Sequence, residues 1–307
     1  MSYALLFSGQ ASQHPAMLPW LESERAADVT LQAMSARIGS GWRQSLQDAE
    51  QRSDNSFAQV LITGTALAAW AVLRDRLAAP PAAVAGYSVG ELSAFACAGV
   101  VSVDQALALA VQRAASMDQA VAGVATGLLS VSGLPEPVVL ARCTDLGLVC
   151  AIRVGVNQAI FAGTQAALAQ AAPALAALGA VCTLLAVRVA SHSPWMAPAA
   201  RAFAETLEAV PFSAPHCPIG LNAYGMLCRE PGRLRQGLSA QIASTVQWSS
   251  CMDAIAERQV TCVLEVGAGA ALARMWNDRH PHIPARSLDD FQQAQGALSW
   301  IEMHQDT

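Results

Sequence analysis

Five residues constrain this chain more than any others: Gly86-Tyr87-Ser88-Val89-Gly90. An apolar run at residues 82–85 leads into them, and a helical apolar pattern through residue 98 leads out. A strand that turns directly into a helix must bend sharply, and glycines on both sides of the serine let the backbone approach itself closely. The bend lifts the serine hydroxyl out of the sheet at a helix N-terminus, whose amides favour negative charge. The plainer alternative is a helix cap, because Ser88-x-x-Glu91 also fits a capping box. The strand–turn–helix setting favours a nucleophile.

Around this bend the chain alternates between strand and helix patterns. Residues 4–7 read as a strand ending at Ser8-Gly9-Gln10, and the polar stretch 21–55 reads as surface helices and loops. A helical period over 57–77 is stopped by Pro80-Pro81, and a second helix, 103–121, carries Arg113. From residue 126 the order becomes strand 128–131, helix 135–144, strands 149–156 and 159–162, helix 164–178, strand 181–187. That β-α-β-β-α-β order is the split, ferredoxin-like unit. It interrupts a larger domain, which resumes at Ser191-His192-Ser193-Pro194 with a helix over 195–209, strands at 219–222 and 263–266, and a helix at 270–276. A surface helix that frays is expected after Asp289. The division is therefore 1–125 with 189–307 for the large α/β domain, and 126–188 for the inserted subdomain. Residues 168–187 are uncharged and long enough to span a bilayer, but Pro173 and Gly179 punctuate them. They read as a short helix running into a buried strand, with no membrane partner.

Charge and residue choice exclude several chemistries. The net charge is −5, with no basic excess to neutralise phosphates, so no nucleic-acid partner is expected. All 18 basic residues are arginine. The absence of lysine rules out Schiff-base chemistry, a Ser–Lys dyad and a Walker-type phosphate loop. It leaves arginine as the cation for substrate, which suits bidentate capture of a carboxylate. None of the 8 cysteines forms a C-x-x-C pair, and no secretory signal opens the chain; they read as reduced thiols of a cytoplasmic protein. Of the 6 histidines, His192 sits where the inserted unit returns to the large domain. His14, His216, His280 and His282 lie beside prolines or in polar loops, and His304 is in the tail. Asp104, Asp118 and Asp145 fall between Ser88 and His192, and none has a setting that marks it as a third catalytic member.

Six motifs in order give the chain a resemblance over nearly its whole length to the malonyl-CoA:acyl-carrier-protein transacylases. Phe7-Ser8-Gly9-Gln10-Ala11-Ser12-Gln13 resembles F-P-G-Q-G-S-Q, and Gly86-Tyr87-Ser88-Val89-Gly90-Glu91 resembles G-H-S-x-G-E. Gln112-Arg113 falls where the family keeps its arginine, and Ser191-His192-Ser193-Pro194-Trp195-Met196 resembles S-H-x-x-M. Val246-Gln247-Trp248 resembles V-Q-W, and Glu265-Val266-Gly267-Ala268-Gly269 resembles E-V-G-P-G.

The resemblance implies an α/β-hydrolase-like domain with a parallel central sheet carrying a ferredoxin-like subdomain. It implies that Ser88 forms an acyl-enzyme and that His192 takes and returns its proton. Gln247 would orient His192 through an oxygen in place of the usual acid. The amides of Gln10 and Val89 would form an oxyanion hole, Arg113 would bind the malonyl carboxylate, and Gln59 would line the pocket. Malonyl-CoA and the phosphopantetheine-type thiol of an acyl carrier protein would be substrates, with no metal and no permanently bound cofactor.

Departures narrow the resemblance further. Tyr87 stands where the family has histidine, Ser8 where it has proline, and Ala11 and Ala268 where it has glycine and proline. Tyr87, with the short length, resembles the transacylase subunit of malonate decarboxylase, which would add that enzyme's other subunits as partners. The competing functions are the fatty-acid-synthesis transacylase, a serine thioesterase or hydrolase built on the same bend, and an inactive docking subunit.

Overall fold

Short runs of small and branched apolar residues, each ending in a glycine or polar turn, form the strands of the large domain. In the computed structural model, which describes residues 2–305, these are β1 (Tyr3–Phe7), β2 (Ala83–Gly86), β7 (Ile219–Leu221), β8 (Met226–Cys228), β9 (Cys262–Val266) and β10 (Ala285–Ser287). They assemble in the order β10-β9-β1-β2-β7-β8. Every pairing is parallel except β7–β8, which adds one antiparallel edge. The first strand lies mid-sheet between β2 and β9, with Phe7 level with Gly86 and Val266. The carboxyl ends of three strands therefore bring the Ser8 loop, the Ser88 bend and the Gly267 turn together, the place where open parallel sheets carry ligands.

The insertion supplies β3 (Thr126–Ser132), β4 (Val149–Gly155), β5 (Gln158–Thr164) and β6 (Val181–Leu184). Their sheet order, β4-β5-β3-β6, is antiparallel throughout and is that of the ferredoxin-like unit. Strand alternation gives this small sheet two apolar faces. Leu129, Val131 and Phe161 form a separate core with Val139, Leu168 and Leu175 of the two helices. Leu128, Ile152 and Ile160 face the other way and join the core of the large domain.

Three sequence expectations need correction. The stretch 21–55 is not merely surface: Leu21, Trp42 and Leu46 are buried on or beside helices of three and four residues, and Met34 is buried on the helix Asp28–Ile38. The strand expected over 181–187 ends at Leu184, and β6 is an outer strand with Val181 and Leu184 exposed. The C-terminal helix, Ala294–Gln305, buries Ala294, Ala297, Leu298 and Ile301, so it is a core element. The helix Asn55–Arg74 is long and apolar enough to cross a membrane by length and composition, but 83% of its most apolar 18-residue window is buried within the protein. It is the core helix that carries Gln59.

Candidate active site

The bend at Ser88 is as tight as its glycines suggest. Ser88 has φ +56°, a left-handed conformation that costs a side-chain-bearing residue on the order of 1–3 kcal/mol. His192 (φ +60°) and Ala11 (φ +73°), on the two facing loops, share it. The helix Gly90–Cys97 starts directly afterwards, and no side chain caps it. The capping-box alternative fails on both members: the Ser88 hydroxyl meets His192, and the Glu91 carboxylate accepts from the Asn222 N–H at 2.8 Å.

Ser88 Oγ lies 2.8 Å from His192 Nε2. His192 Nδ1 lies 2.6 Å from the main-chain oxygen of Gln241. A carbonyl can only accept, so Nδ1 carries the proton and Nε2 presents its lone pair to the serine hydroxyl. Burial first and the nearby Arg113 charge second push the His192 pKa down to about 3, against the opposing pull of the Gln241 carbonyl. The folded value lies below that of an unfolded histidine. Between about pH 6.5 and pH 3 the unfolded chain therefore binds the extra proton, and this residue's linkage lowers stability as pH falls through that window. Carbon-13 NMR of labelled histidine is expected to show a His192 ring that does not titrate between pH 5 and 8; an inflection near pH 6.5 would contradict it.

Arg113 is fully buried on the helix Val103–Ala120. One terminal nitrogen donates to Gln59 Oε1 at 2.7 Å; the other is 3.4 Å from both Ser88 Oγ and Gln241 Oε1. Its Nε has no partner. Burial lowers its pKa to about 10, and Glu91 opposes the fall, so it remains a cation at neutral pH. A buried guanidinium with an unused donor is a site for an incoming carboxylate. Gln59 Nε2 donates to Asn55 Oδ1 at 2.8 Å, and that oxygen also accepts from Gln10 Nε2 at 3.1 Å. Asn55 thus ties the Gln10 loop to the arginine.

Among the described residues, neither the Gln10 N–H nor the Val89 N–H has an acceptor within the chain. Val89 follows the serine directly and Gly9, next to Gln10, packs against Tyr87; free amides beside a nucleophile can receive a developing oxyanion.

The structure brings Ser88, His192, Arg113, Gln59, Gln10 and Val89 together, and corrects Gln247. The Gln247 side chain donates to the Thr245 carbonyl at 3.3 Å, and its main-chain N–H donates to the Asn222 carbonyl at 2.8 Å. The oxygen that orients His192 is the backbone carbonyl of Gln241, six positions earlier. Replacing Gln247 by alanine should leave the acyl-transfer rate within about threefold of wild type, since no side-chain atom of it holds the imidazole. A hundredfold loss of kcat would restore it to the site. Three residues that carry no sequence motif also belong here: Gln241, Asn55 and Asn222. A glutamine acting through its main chain leaves no side-chain signature, and the two asparagines look like ordinary helix-start and strand-end residues.

The acyl transferase domain family matches residues 4–302. The malonyl CoA-acyl carrier protein transacylase of Mycobacterium bovis is 34% identical over 93% of this chain and 95% of its own length. That of Escherichia coli K12 is 30% identical over 88% and 90%. A solved acyl-carrier-protein S-malonyltransferase from Burkholderia pseudomallei superposes with TM-score 0.89 at 27% identity, covering 97% of this chain and 100% of that one. A malonyl-transacylase solved in complex with a type II PKS acyl-carrier protein gives 0.90 at 27% identity, covering 97% and 99%. A chain with this bend, this histidine and this buried arginine, matched from end to end in sequence and fold, belongs to the acyl transferase domain family and, within it, to the malonyl CoA-acyl carrier protein transacylases.

Proposed function

We propose that the protein moves a malonyl group from malonyl-CoA to the thiol of an acyl carrier protein through an ester on Ser88. The carrying observation is that Ser88 Oγ contacts both a neutral histidine and a buried arginine. Ser88 Oγ attacks the thioester carbonyl while its proton passes to His192 Nε2. The carbonyl oxygen takes up negative charge against the Gln10 and Val89 amides, an interaction worth roughly 3–4 kcal/mol per donor in comparable sites. The C–S bond breaks, and the departing coenzyme A sulfur takes the proton back from His192. The carrier thiol then gives its proton to Nε2 and attacks the ester; the Ser88 oxygen leaves and recovers that proton. This is ping-pong covalent catalysis. Arg113 pairs with the malonyl carboxylate, with Gln59 holding the guanidinium from behind.

The test is mass spectrometry of the protein incubated with malonyl-CoA. An adduct of one malonyl group on Ser88 that disappears on adding carrier protein supports the reading. Release of free malonate at the same rate without carrier would make the protein a hydrolase, and no adduct at all would make it a docking subunit.

For the physiological carrier we propose that of malonate decarboxylase, with a cytoplasmic setting. Tyr87 supports this reading. It fills the family's histidine position with a buried ring set edge-to-face on Trp248, centroids 5.1 Å apart, directly beside the nucleophile. Loading rates on a carrier bearing a phosphoribosyl-dephospho-CoA arm and on one bearing phosphopantetheine separate the two pathways. Faster loading of the phosphopantetheine carrier would assign the protein to fatty acid synthesis.

A further inference from the structure

Asn222 bonds neither the Ser88 hydroxyl nor the His192 ring, yet each of its polar atoms has a partner, and both side-chain ones lie on the bend. Its side-chain Oδ1 accepts from the Ser88 N–H at 2.9 Å, and its Nδ2 donates to the Gly86 carbonyl at 2.7 Å. The amide orientation is fixed by its partners, because only the oxygen can accept from an N–H and only the nitrogen can donate to a carbonyl. One rigid planar group therefore spans the residue before the bend and the residue at its apex. The main chain of Asn222 is gripped as well: its N–H donates to Glu91 Oε1 at 2.8 Å, and its carbonyl accepts from the Gln247 N–H at 2.8 Å. Asn222 and Glu91 are fully buried.

The left-handed turn at Ser88 leaves the Ser88 N–H and the Gly86 carbonyl without strand or helix partners, and buried backbone groups must find partners elsewhere. Asn222 supplies both at once. With the Ser88 N–H so occupied, the next amide, that of Val89, is the one left free.

We propose that Asn222, seated by Glu91, is a positioning residue for acyl transfer. Its side-chain amide locks the peptide planes flanking Ser88 so that the hydroxyl stays on His192 and the Val89 N–H stays open to the oxyanion. The inference rests on the proposed seryl-ester chemistry, and it differs from a purely structural role in what it affects. Arg113 and Gln59 are held independently of Asn222, so substrate capture is untouched while the reacting geometry loosens. Displacements of about 1 Å at a reacting centre can cost roughly a hundredfold in rate.

The experiment measures single-turnover loading of Ser88 by malonyl-CoA in wild type, Asn222→Ala and Asn222→Asp, per active site titrated with a serine-directed phosphonate. Asn222→Ala is expected to load about a hundredfold more slowly, with half-saturation by malonyl-CoA within threefold of wild type. Asn222→Asp keeps the acceptor for the Ser88 N–H and loses the donor to Gly86 only while ionised. Its loading rate should therefore rise as pH falls and the new carboxyl protonates; the charged and titratable groups in reach are Glu91, bonded to its main chain, Arg113 and Cys251 near Glu91, and His192 across Ser88. Loading by Asn222→Ala within threefold of wild type, or a loss lying wholly in half-saturation, overturns the proposal. If Asn222→Ala does not fold, the pH response of Asn222→Asp decides, and a rate that parallels wild type at every pH overturns it. Failure of wild type to load would instead overturn the seryl-ester reading.

Discussion

Replacing Gly86 by alanine is expected to remove essentially all acyl transfer and most of the folded protein. A methyl group at this position would sit 2.0 Å from the carbonyl carbon and oxygen of Gly90 and 2.2 Å from the Glu91 nitrogen. These are backbone atoms at the start of a helix, so no side chain can rotate away. Gly90 has no slack to give: its own Cβ would lie 2.3 Å from the Phe7 carbonyl oxygen. The bend is wedged between two parallel strands, and opening it pulls Ser88 from His192 and strips the Ser88 and Gly86 backbone groups of Asn222. Overpacking together with lost buried hydrogen bonds is among the few mechanisms that exceed about 4 kcal/mol. Soluble yield, thermal melting and phosphonate labelling of Ser88 check it. Gly155→Ala is the control, because nothing lies within 4 Å of a methyl group there. A soluble Gly86→Ala protein that labels at the wild-type rate would show that the bend tolerates relaxation.

Replacing Arg113 by alanine should cost malonyl loading about a hundredfold or more and leave acetyl loading within roughly tenfold. The malonyl carboxylate would enter a pocket that had lost the guanidinium, while acetyl never uses that charge. The acetyl-loading background should even improve relative to malonyl, because a neutral acyl group no longer leaves a buried guanidinium unpaired. The same variant should raise the His192 pKa, since the Arg113 charge is the second cause of its depression. Equal losses for the two acyl groups would mean that Arg113 supports the fold of the site and does not select the substrate.

Legibility in the sequence followed the kind of group involved. Ser88, Arg113 and His192 stand in recognisable strings, and the structure brings their side chains together. The inserted unit was readable because its helices and strands are long enough to show their periods. Strands β8 and β10 have three residues each, below the length at which alternation can be seen. A familiar motif points to Gln247 as the orienter of His192, whereas the oxygen bonded to Nδ1 is the main-chain one of Gln241. Glu91 looked like a cap because its spacing from Ser88 fits one; only the fold reveals Asn222 as its partner.

The small sheet is joined to the large domain by more than the two places where the chain crosses over. The edge of β4 pairs with the segment just beyond Gln241: Ile152 bridges Val246, the Arg153 N–H donates to the Val246 carbonyl, and the Val246 N–H donates to the Ala151 carbonyl, each at 2.9 Å. The Thr245 hydroxyl adds a bond to the Cys150 carbonyl at 2.8 Å. Two crossings alone would make a hinge. A third anchorage turns the lobe into a tripod, so the small sheet cannot swing about its two crossings and stays clamped to the segment that follows Gln241.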